Sequence, residues 1–124
     1  MKVLVVVDDD VDMQLLIQLT LAKDSRLELS GRCSTALEAV ELARELQPGL
    51  VILDHFIDGD IMGLEAAPLI HEAAPDARIL LFTSHDLAIE SQREPAIDGF
   101  LLKRDIGVLM ETVQRLLELP PLAA

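Results

Sequence analysis

Acids, a hydroxyl and one amine recur at the ends of apolar runs. Asp8-Asp9-Asp10 follow Val3 to Val7, with Asp12 close behind. Asp54 follows Leu50 to Leu53, Thr83-Ser84 follow Ile79 to Phe82, and Lys103 follows Phe100 to Leu102. If these groups meet, their chemistry is that of concentrated negative charge. Two carboxylates about 4 Å apart repel by roughly 4 kcal/mol at an effective dielectric near 20, and a single lysine does not offset three such charges. A hard divalent cation does, and Mg²⁺ suits a site of few carboxylates completed by water and phosphoryl oxygens. If a phosphoryl group joins one carboxylate, the metal, the lysine and a hydroxyl can neutralise its oxygens.

Whether the groups meet depends on the elements that carry them. The four apolar runs lack polar alternation, as strands do when helices cover both faces of a parallel sheet. Leu27-Glu28-Leu29-Ser30 alternates and reads as a half-buried edge strand. Helical patterns fill the gaps. The first spans about Val11 to Lys23, with Asp10 or Asp12 as its cap and Leu15, Leu16, Ile17, Leu19 and Leu21 mostly in the core. These apolar residues run nearly all round that helix, so part of it is also a candidate dimer contact. Thr35 with Glu38 gives a capping-box signature ahead of Leu37, Val40, Leu42 and Leu46, and Pro48-Gly49 closes that helix. A helix from Gly63 to about Ala74 contains Pro68, which predicts an irregular or delayed first turn. Pro95 interrupts the region of a fourth helix, and Asp105 is placed to cap a last one along Ile106, Leu109, Val113, Leu116 and Leu117. Strands alternating with helices imply a doubly wound α/β domain with right-handed crossovers. In such sheets ligands sit beyond the carboxyl ends of the strands, where the acids, Thr83 and Lys103 lie.

Composition narrows the function classes. The chain has 124 residues, 10 Lys and Arg against 22 Asp and Glu, and a formal net charge of −12. Such acidity excludes holding DNA or RNA through phosphate neutralisation by this domain. Aromatic residues make up 2% with no Trp or Tyr, which removes a base-stacking platform. Cys33 is the single cysteine, so no internal disulfide or cysteine-rich zinc site forms, and a cytoplasmic setting is expected. The apolar stretch after Met1-Lys2 is too short for a signal core or a membrane span. Residues 1–119 read as one domain and 120–124, Pro-Pro-Leu-Ala-Ala, as a tail or the start of a linker.

Val-Val-Asp-Asp-Asp at 6–10, Leu53-Asp54, Thr83-Ser84 and Gly99-Phe100-Leu101-Leu102-Lys103, taken in order, resemble a response-regulator receiver domain. The resemblance implies a five-stranded parallel sheet in the flavodoxin-like order 2-1-3-4-5. It implies Asp54 as phospho-acceptor, Asp9 as a direct Mg²⁺ ligand and Asp8 as its neighbour acting mainly through water, with Asp54 itself and the Phe56 carbonyl completing the protein shell. It implies that Thr83 follows the phosphoryl group, that Lys103 pairs with its oxygens, and that Phe100 is the rotating aromatic. The donor would be a histidine kinase or a phosphotransfer protein. The chain would be no enzyme in the ordinary sense, though it would promote its own dephosphorylation. The Gly-Phe-Leu-Leu-Lys form looks most like receivers attached to helix-turn-helix DNA-binding domains, which implies transcription regulation. Against that pattern the loop 54–63 is one residue longer, the 83–103 segment about two shorter, and Phe100 lacks a hydroxyl.

Other readings remain open on the residues alone. Asp8, Asp10 and Asp12 offer the alternating acids of a Mg²⁺-dependent phosphatase with an aspartyl nucleophile, but the Gly-Thr usual after them and a substrate cap are missing. A flavin module on the same fold needs a Ser/Thr/Gly-rich first loop, and here that loop is acidic. A degenerate receiver serving only as an interaction module is the third alternative. His55 and His85 are expected to border the pocket, Asp58 and Asp60 to form a solvated loop, and Cys33 to be a small buried residue.

Overall fold

The computed structural model describes residues 2–122; Ala123 and Ala124, the end of the expected tail, lie outside the described residues. Five parallel strands, β1 (Lys2–Val7), β2 (Leu27–Cys33), β3 (Leu50–Leu53), β4 (Arg78–Thr83) and β5 (Gly99–Leu102), form one sheet in the order β2-β1-β3-β4-β5, as expected. Helices α1 (Val11–Leu21), α2 (Ala36–Leu46), α3 (Gly63–Ala73), α4 (Ala88–Gln92) and α5 (Leu109–Leu116) connect or follow them. None is long and apolar enough to cross a membrane among the described residues.

Successive strand residues point to opposite faces, and this period divides the core in two. Val5, Val7, Val51, Leu53, Ile79 and Leu81 pack under α2 and α3. The alternate set, Val6, Ile52, Leu80 and Phe82, packs under α1 and α5 with Ile17, Leu21, Leu109, Val113 and Leu117. Each such aliphatic side chain contributes about 1.5–3 kcal/mol when removed from water. On the first face Ala39, Ala43, Ala66 and Ala67 are fully buried, and their small side chains let α2 and α3 approach the sheet closely. β2 shows the expected edge alternation, with Leu27 and Cys33 buried and exposed or half-buried residues between them.

Local chemistry sets the helix ends. Asp10 caps α1 by accepting from the N–H groups of Asp12 and Met13. Thr35 caps α2 by accepting from Glu38 N–H, while the Glu38 carboxylate accepts from the Thr35 hydroxyl and the Ser34 N–H. α2 stops at Gln47, which takes a left-handed φ of 45° and donates from Nε2 to the carbonyls of Ala43 and Ala73. α4 has only five residues and ends before Pro95.

Three expectations fail. The first turn of α3 is neither irregular nor delayed: Ala66 N–H bonds to Met62 O, and Pro68 sits on the exposed side of an intact helix. Proline's locked φ is itself helical, so the loss is confined to the bond its missing N–H would have made to Leu64. Asp105 does not cap the last helix. Lys103–Val108 winds as a tighter 3-10 segment with Asp105 at φ −96°, ψ 27°, and α5 starts at Leu109 without a side-chain cap. Leu15, Leu16 and Leu19 are not core residues; they are 48%, 44% and 59% exposed, because α1 turns Gln14, Ile17 and Leu21 to the sheet instead.

A buried ion pair closes the end of the domain opposite the acids. Asp24, fully buried in the α1–β2 turn, accepts from Arg26 Nε and NH2 and from Gln114 Nε2 of α5. Arg26 NH2 also donates to the Pro120 carbonyl at 2.7 Å. The Arg26 hydrogen bonds, together with those from its backbone and Gln114, hold the Asp24 carboxyl well below the ordinary value of 3.8 despite burial. A carboxyl depressed in this way stabilises the fold above its unfolded pKa and loses that contribution as pH falls toward the folded pKa. Asp24→Asn is therefore expected to lower the urea midpoint at neutral pH and to flatten its fall below about pH 4. Urea titrations of both proteins from pH 7 to pH 2 check this; parallel acid limbs would remove Asp24 from the account.

Candidate functional site

Strand register brings the acids level. Val7 pairs with Cys33 on one side and with Leu53 on the other, and Leu53 pairs with Leu81. The ladder continues one residue further: Asp8 N–H donates to Cys33 O at 3.0 Å, and Asp54 N–H to Val7 O at 2.9 Å. Asp8 and Asp54 thus leave the sheet side by side, and one carboxylate oxygen from each of Asp8, Asp9 and Asp54 falls within 4.8 Å of the others. Lys103, one residue past β5, donates to Asp8 Oδ2 at 2.9 Å and to Asp54 Oδ2 at 2.8 Å.

Asp8 and Asp54 are nearly inaccessible, whereas Asp9 is exposed. Burial pushes the Asp8 pKa up, and the Lys103 and Asp10 hydrogen bonds only partly oppose it. Burial pulls Lys103 down, but its bonds to Asp54 and Asp8 carry it above its ordinary value, so the ammonium persists at neutral pH. One ammonium stands against three carboxylates, and the surplus negative charge favours a cation. Mg²⁺ takes a few carboxylate oxygens completed by water, and the three clustered carboxylates are a donor set of that kind.

Thr83 ends β4 fully buried, and its hydroxyl has no hydrogen-bond partner among the described residues. An unpaired buried hydroxyl costs about 1–3 kcal/mol; here it lies at the carboxyl end of the sheet, on the strand beside Asp54. Phe56 N–H lies 3.4 Å from Asp54 Oδ1. Its ring packs edge-on to His55 and tilted against His85, so the two histidines join the β3 and β4 loops through it. Phe100 stands apart from the acids. Half-buried on β5, it lines a cavity of about 330 Å³ under α4 with Ser91, Ile97 and Asp98. Asp58 and Asp60 are exposed, and Cys33 is buried with its thiol pKa pushed up to about 12 by burial and the Glu38 charge. A groove of about 430 Å³ between α2 and α3, lined by Leu37, Val40, Ile61 and Leu69, holds none of the site residues.

Two supporting residues escape a reading of the sequence. Gln14 is buried on the sheet side of α1, and its Nε2 donates to Asp8 O at 2.7 Å and to Cys33 O at 3.1 Å, fixing the exits of β1 and β2. The available signal is a polar residue on the buried line Gln14–Ile17–Leu21. Gly63 begins α3 against the backbone of Asp54: a Cβ there would overlap the Asp54 carbonyl and approach His55 Cα to 2.7 Å. Gly63 N–H also donates to His55 O at 2.8 Å.

Residues 4–114 match the family described as the response regulator receiver domain. The chain is 31% identical over 99 residues to the response regulator protein VraR of Staphylococcus aureus, which covers 78% of this chain and 47% of that protein. The chain therefore spans about half the length of the curated relatives it matches. The structure of response regulator protein TrrA from Thermotoga maritima, solved in complex with Mg²⁺-BeF, is similar at 30% identity and a TM-score of 0.81, covering 94% of this chain and 99% of that one. A two-component response regulator of the LuxR family from Aurantimonas sp. SI85-9A1 is similar at 25% identity and a TM-score of 0.86, covering 94% and 85%.

Replacing Gln14 by leucine is expected to keep its volume while stranding the Asp8 carbonyl, since the Cys33 carbonyl keeps its bond from the Asp8 N–H. The expected loss is about 1–3 kcal/mol of stability. Urea denaturation measures it, and an unchanged midpoint would mean that water replaces the amide.

Proposed function

Since this chain belongs to the response regulator receiver domain family of two-component signalling proteins, we propose that it is a switch whose Asp54 accepts a phosphoryl group in the presence of Mg²⁺. The observation that carries the reading is Lys103 bridging Asp54 and Asp8 beside an exposed Asp9. Residues 1–119 make up the switch, with 120–124 as a tail or the start of a linker. The donor is the phosphohistidine of a histidine kinase or phosphotransfer protein, and the setting is the cytoplasm.

In the transfer an Asp54 carboxylate oxygen attacks phosphorus. The new O–P bond forms as the P–N bond to the donor imidazole breaks, and the released imidazole takes a proton from water. By the family resemblance Asp9 would hold Mg²⁺ directly and Asp8 mainly through water, with Asp54 and the Phe56 carbonyl completing the protein shell. The metal supplies positive charge against the oxygens of the incoming group. Lys103 needs only to shift from the Asp54 carboxylate to a phosphoryl oxygen, keeping its charge paired. Thr83 brings a hydroxyl that has no bond to give up, so donating to a phosphoryl oxygen gains a charge-assisted bond without breaking a neutral one. Its movement leaves room under α4 for the Phe100 ring, which reports the change by packing alone. Water attack on the acyl phosphate later resets the switch.

The TrrA structure with Mg²⁺-BeF supports the Mg²⁺ part of this reading, and a role in transcription regulation rests on the resemblance to LuxR-family response regulators. A phosphorylation-independent interaction module is the weaker alternative, because it leaves the exposed Asp9 carboxylate and the unpaired Thr83 hydroxyl without a use.

Incubation with a small phosphodonor and Mg²⁺ is expected to add the mass of one phosphoryl group to the intact protein. Chelation or Asp54→Asn should abolish the addition, and an adduct that persists in Asp54→Asn would sink the assignment. Thr83→Val separates signalling from stability. It removes an unpaired hydroxyl at nearly constant volume, so the resting fold should be unchanged or up to about 1 kcal/mol more stable. The same variant should retain beryllium fluoride less well. Both are read from melting curves with and without Mg²⁺ and beryllium fluoride; clear destabilisation of the resting form would show that the hydroxyl has a partner.

A further inference from the structure

We propose that the groove between α2 and α3 is a docking site for a helix of another protein, one that sets basic residues beside an apolar face. The groove measures about 430 Å³. The small side chains of Ala36 and Ala73 leave its depth, and Leu37, Val40, Ile61 and Leu69 supply apolar walls. Val40, Ile61 and Ala73 also pack against the core beneath, whereas Leu37 and Leu69 are not among the residues that do. Leu37 is 74% exposed and Leu69 41%. Single exposed leucines are ordinary on a protein surface, but apolar side chains grouped round a concavity form a binding patch.

Charge decides what fits there. Arg44 is the one cation lining the groove among the described residues, and it is already paired with Glu41 at 2.9 Å. Glu72 lines the α3 side, and the exposed Asp60 directly precedes Ile61. Neither acid forms an ion pair among the described residues. The rim is left acidic and is complementary to a basic partner. A second copy is a poor occupant, because it brings a formal net charge of −12 of its own. The described residues after α5 lead elsewhere: Leu119 packs in the layer of α1 and α5, and the Pro120 carbonyl is held by Arg26. The partner segment is helical because the groove runs between two helices whose backbone groups bond within each helix. An extended segment would find no backbone partners there, while a helix satisfies its own and lays residues spaced i, i+3 or i+4, and i+7 into the groove. None of the lining residues belongs to the acid site, so the surface is independent of phosphoryl transfer to Asp54.

The probe is a synthetic peptide of about 18 residues, long enough to hold a helix. It carries leucines on one face, lysines flanking them and alanines elsewhere. Fluorescence anisotropy with the full 124-residue chain should show saturable binding that weakens as salt is raised. A peptide with glutamates in place of the lysines should bind about tenfold more weakly. Leu37→Ser/Leu69→Ser should weaken the lysine peptide about tenfold, and Glu72→Lys should weaken it by a smaller factor. These side chains are exposed, and circular dichroism melts confirm that each variant folds. Leu16→Ser/Leu19→Ser, which removes exposed leucines of α1, should bind the lysine peptide as the wild type does. A lysine peptide that binds no better than the glutamate peptide would overturn the proposal. So would binding that Leu37→Ser/Leu69→Ser leaves unchanged, or that the α1 variant loses equally. A wild-type dimer in sedimentation that dissociates in Leu37→Ser/Leu69→Ser would also overturn it, and would give the groove to a second copy.

Discussion

The Lys103 ammonium, shared by Asp8 and Asp54 at the end of the sheet, is the contact around which the domain is organised. Two almost inaccessible carboxylates side by side are tolerable only with a cation between them, and the lysine must be delivered from β5, two strands beyond β3. That demands strands ending at one level, a β5 that stops at Leu102, and a 3-10 segment that carries the chain away before α5 begins. Lysine alone leaves Asp9 and part of the acid charge uncompensated. The resting site is thus balanced enough to fold and unbalanced enough to attract more positive charge.

The two-layer core supplies the rigidity behind this arrangement. Repulsion among the acids is of the order of a few kcal/mol, comparable with the burial of two or three of the aliphatic side chains that line either face. Val7 and Leu53, which directly precede Asp8 and Asp54, are fully buried on the α2–α3 face. The acids cannot separate by bending the strands without opening that layer. Thr83 is the contrasting case: it follows Phe82 at the end of a fully buried run, yet its hydroxyl is left without a bond. The sheet thereby holds one polar group in a state that only a new acceptor nearby would improve.

Much of this was legible because a residue that follows a buried strand has a defined place. The apolar runs located β1, β3, β4 and β5 to within a residue, and the groups after them came out at the same end of the sheet. What failed was information about faces and connections. Leu15, Leu16 and Leu19 have the composition of a core helix, but helical phase is set by the residues that contact the sheet, and Gln14 occupies that line because its amide reaches the carbonyls of Asp8 and Cys33. Asp105 has the right chemistry for a cap, yet the chain must first turn away from Lys103, and it does so as 3-10 winding through Gly107. Pro68 reads as a breaker, but on the exposed side of α3 it removes one bond without deflecting the axis. Gly63 carries no periodic signal, because its role is to be absent as a side chain where α3 meets Asp54.

Gly63 has a consequence for how this domain can diverge. With its N–H on His55 O and its Cα against the Asp54 backbone, the segment between them is a tied-off excursion whose two ends are fixed to each other. The base is further pinned by Asp58 N–H on Ser34 O, while Gly59, at φ 96°, and Asp60 form an exposed tip. Lengthening a loop with fixed ends costs little, about 0.6 kcal/mol for each doubling. Residues can therefore be gained or lost at the tip while the coordinates of the acceptor carboxylate stay where the sheet puts them. The Gly59–Asp60 tip is thus the natural place to graft a foreign peptide or reporter into the domain.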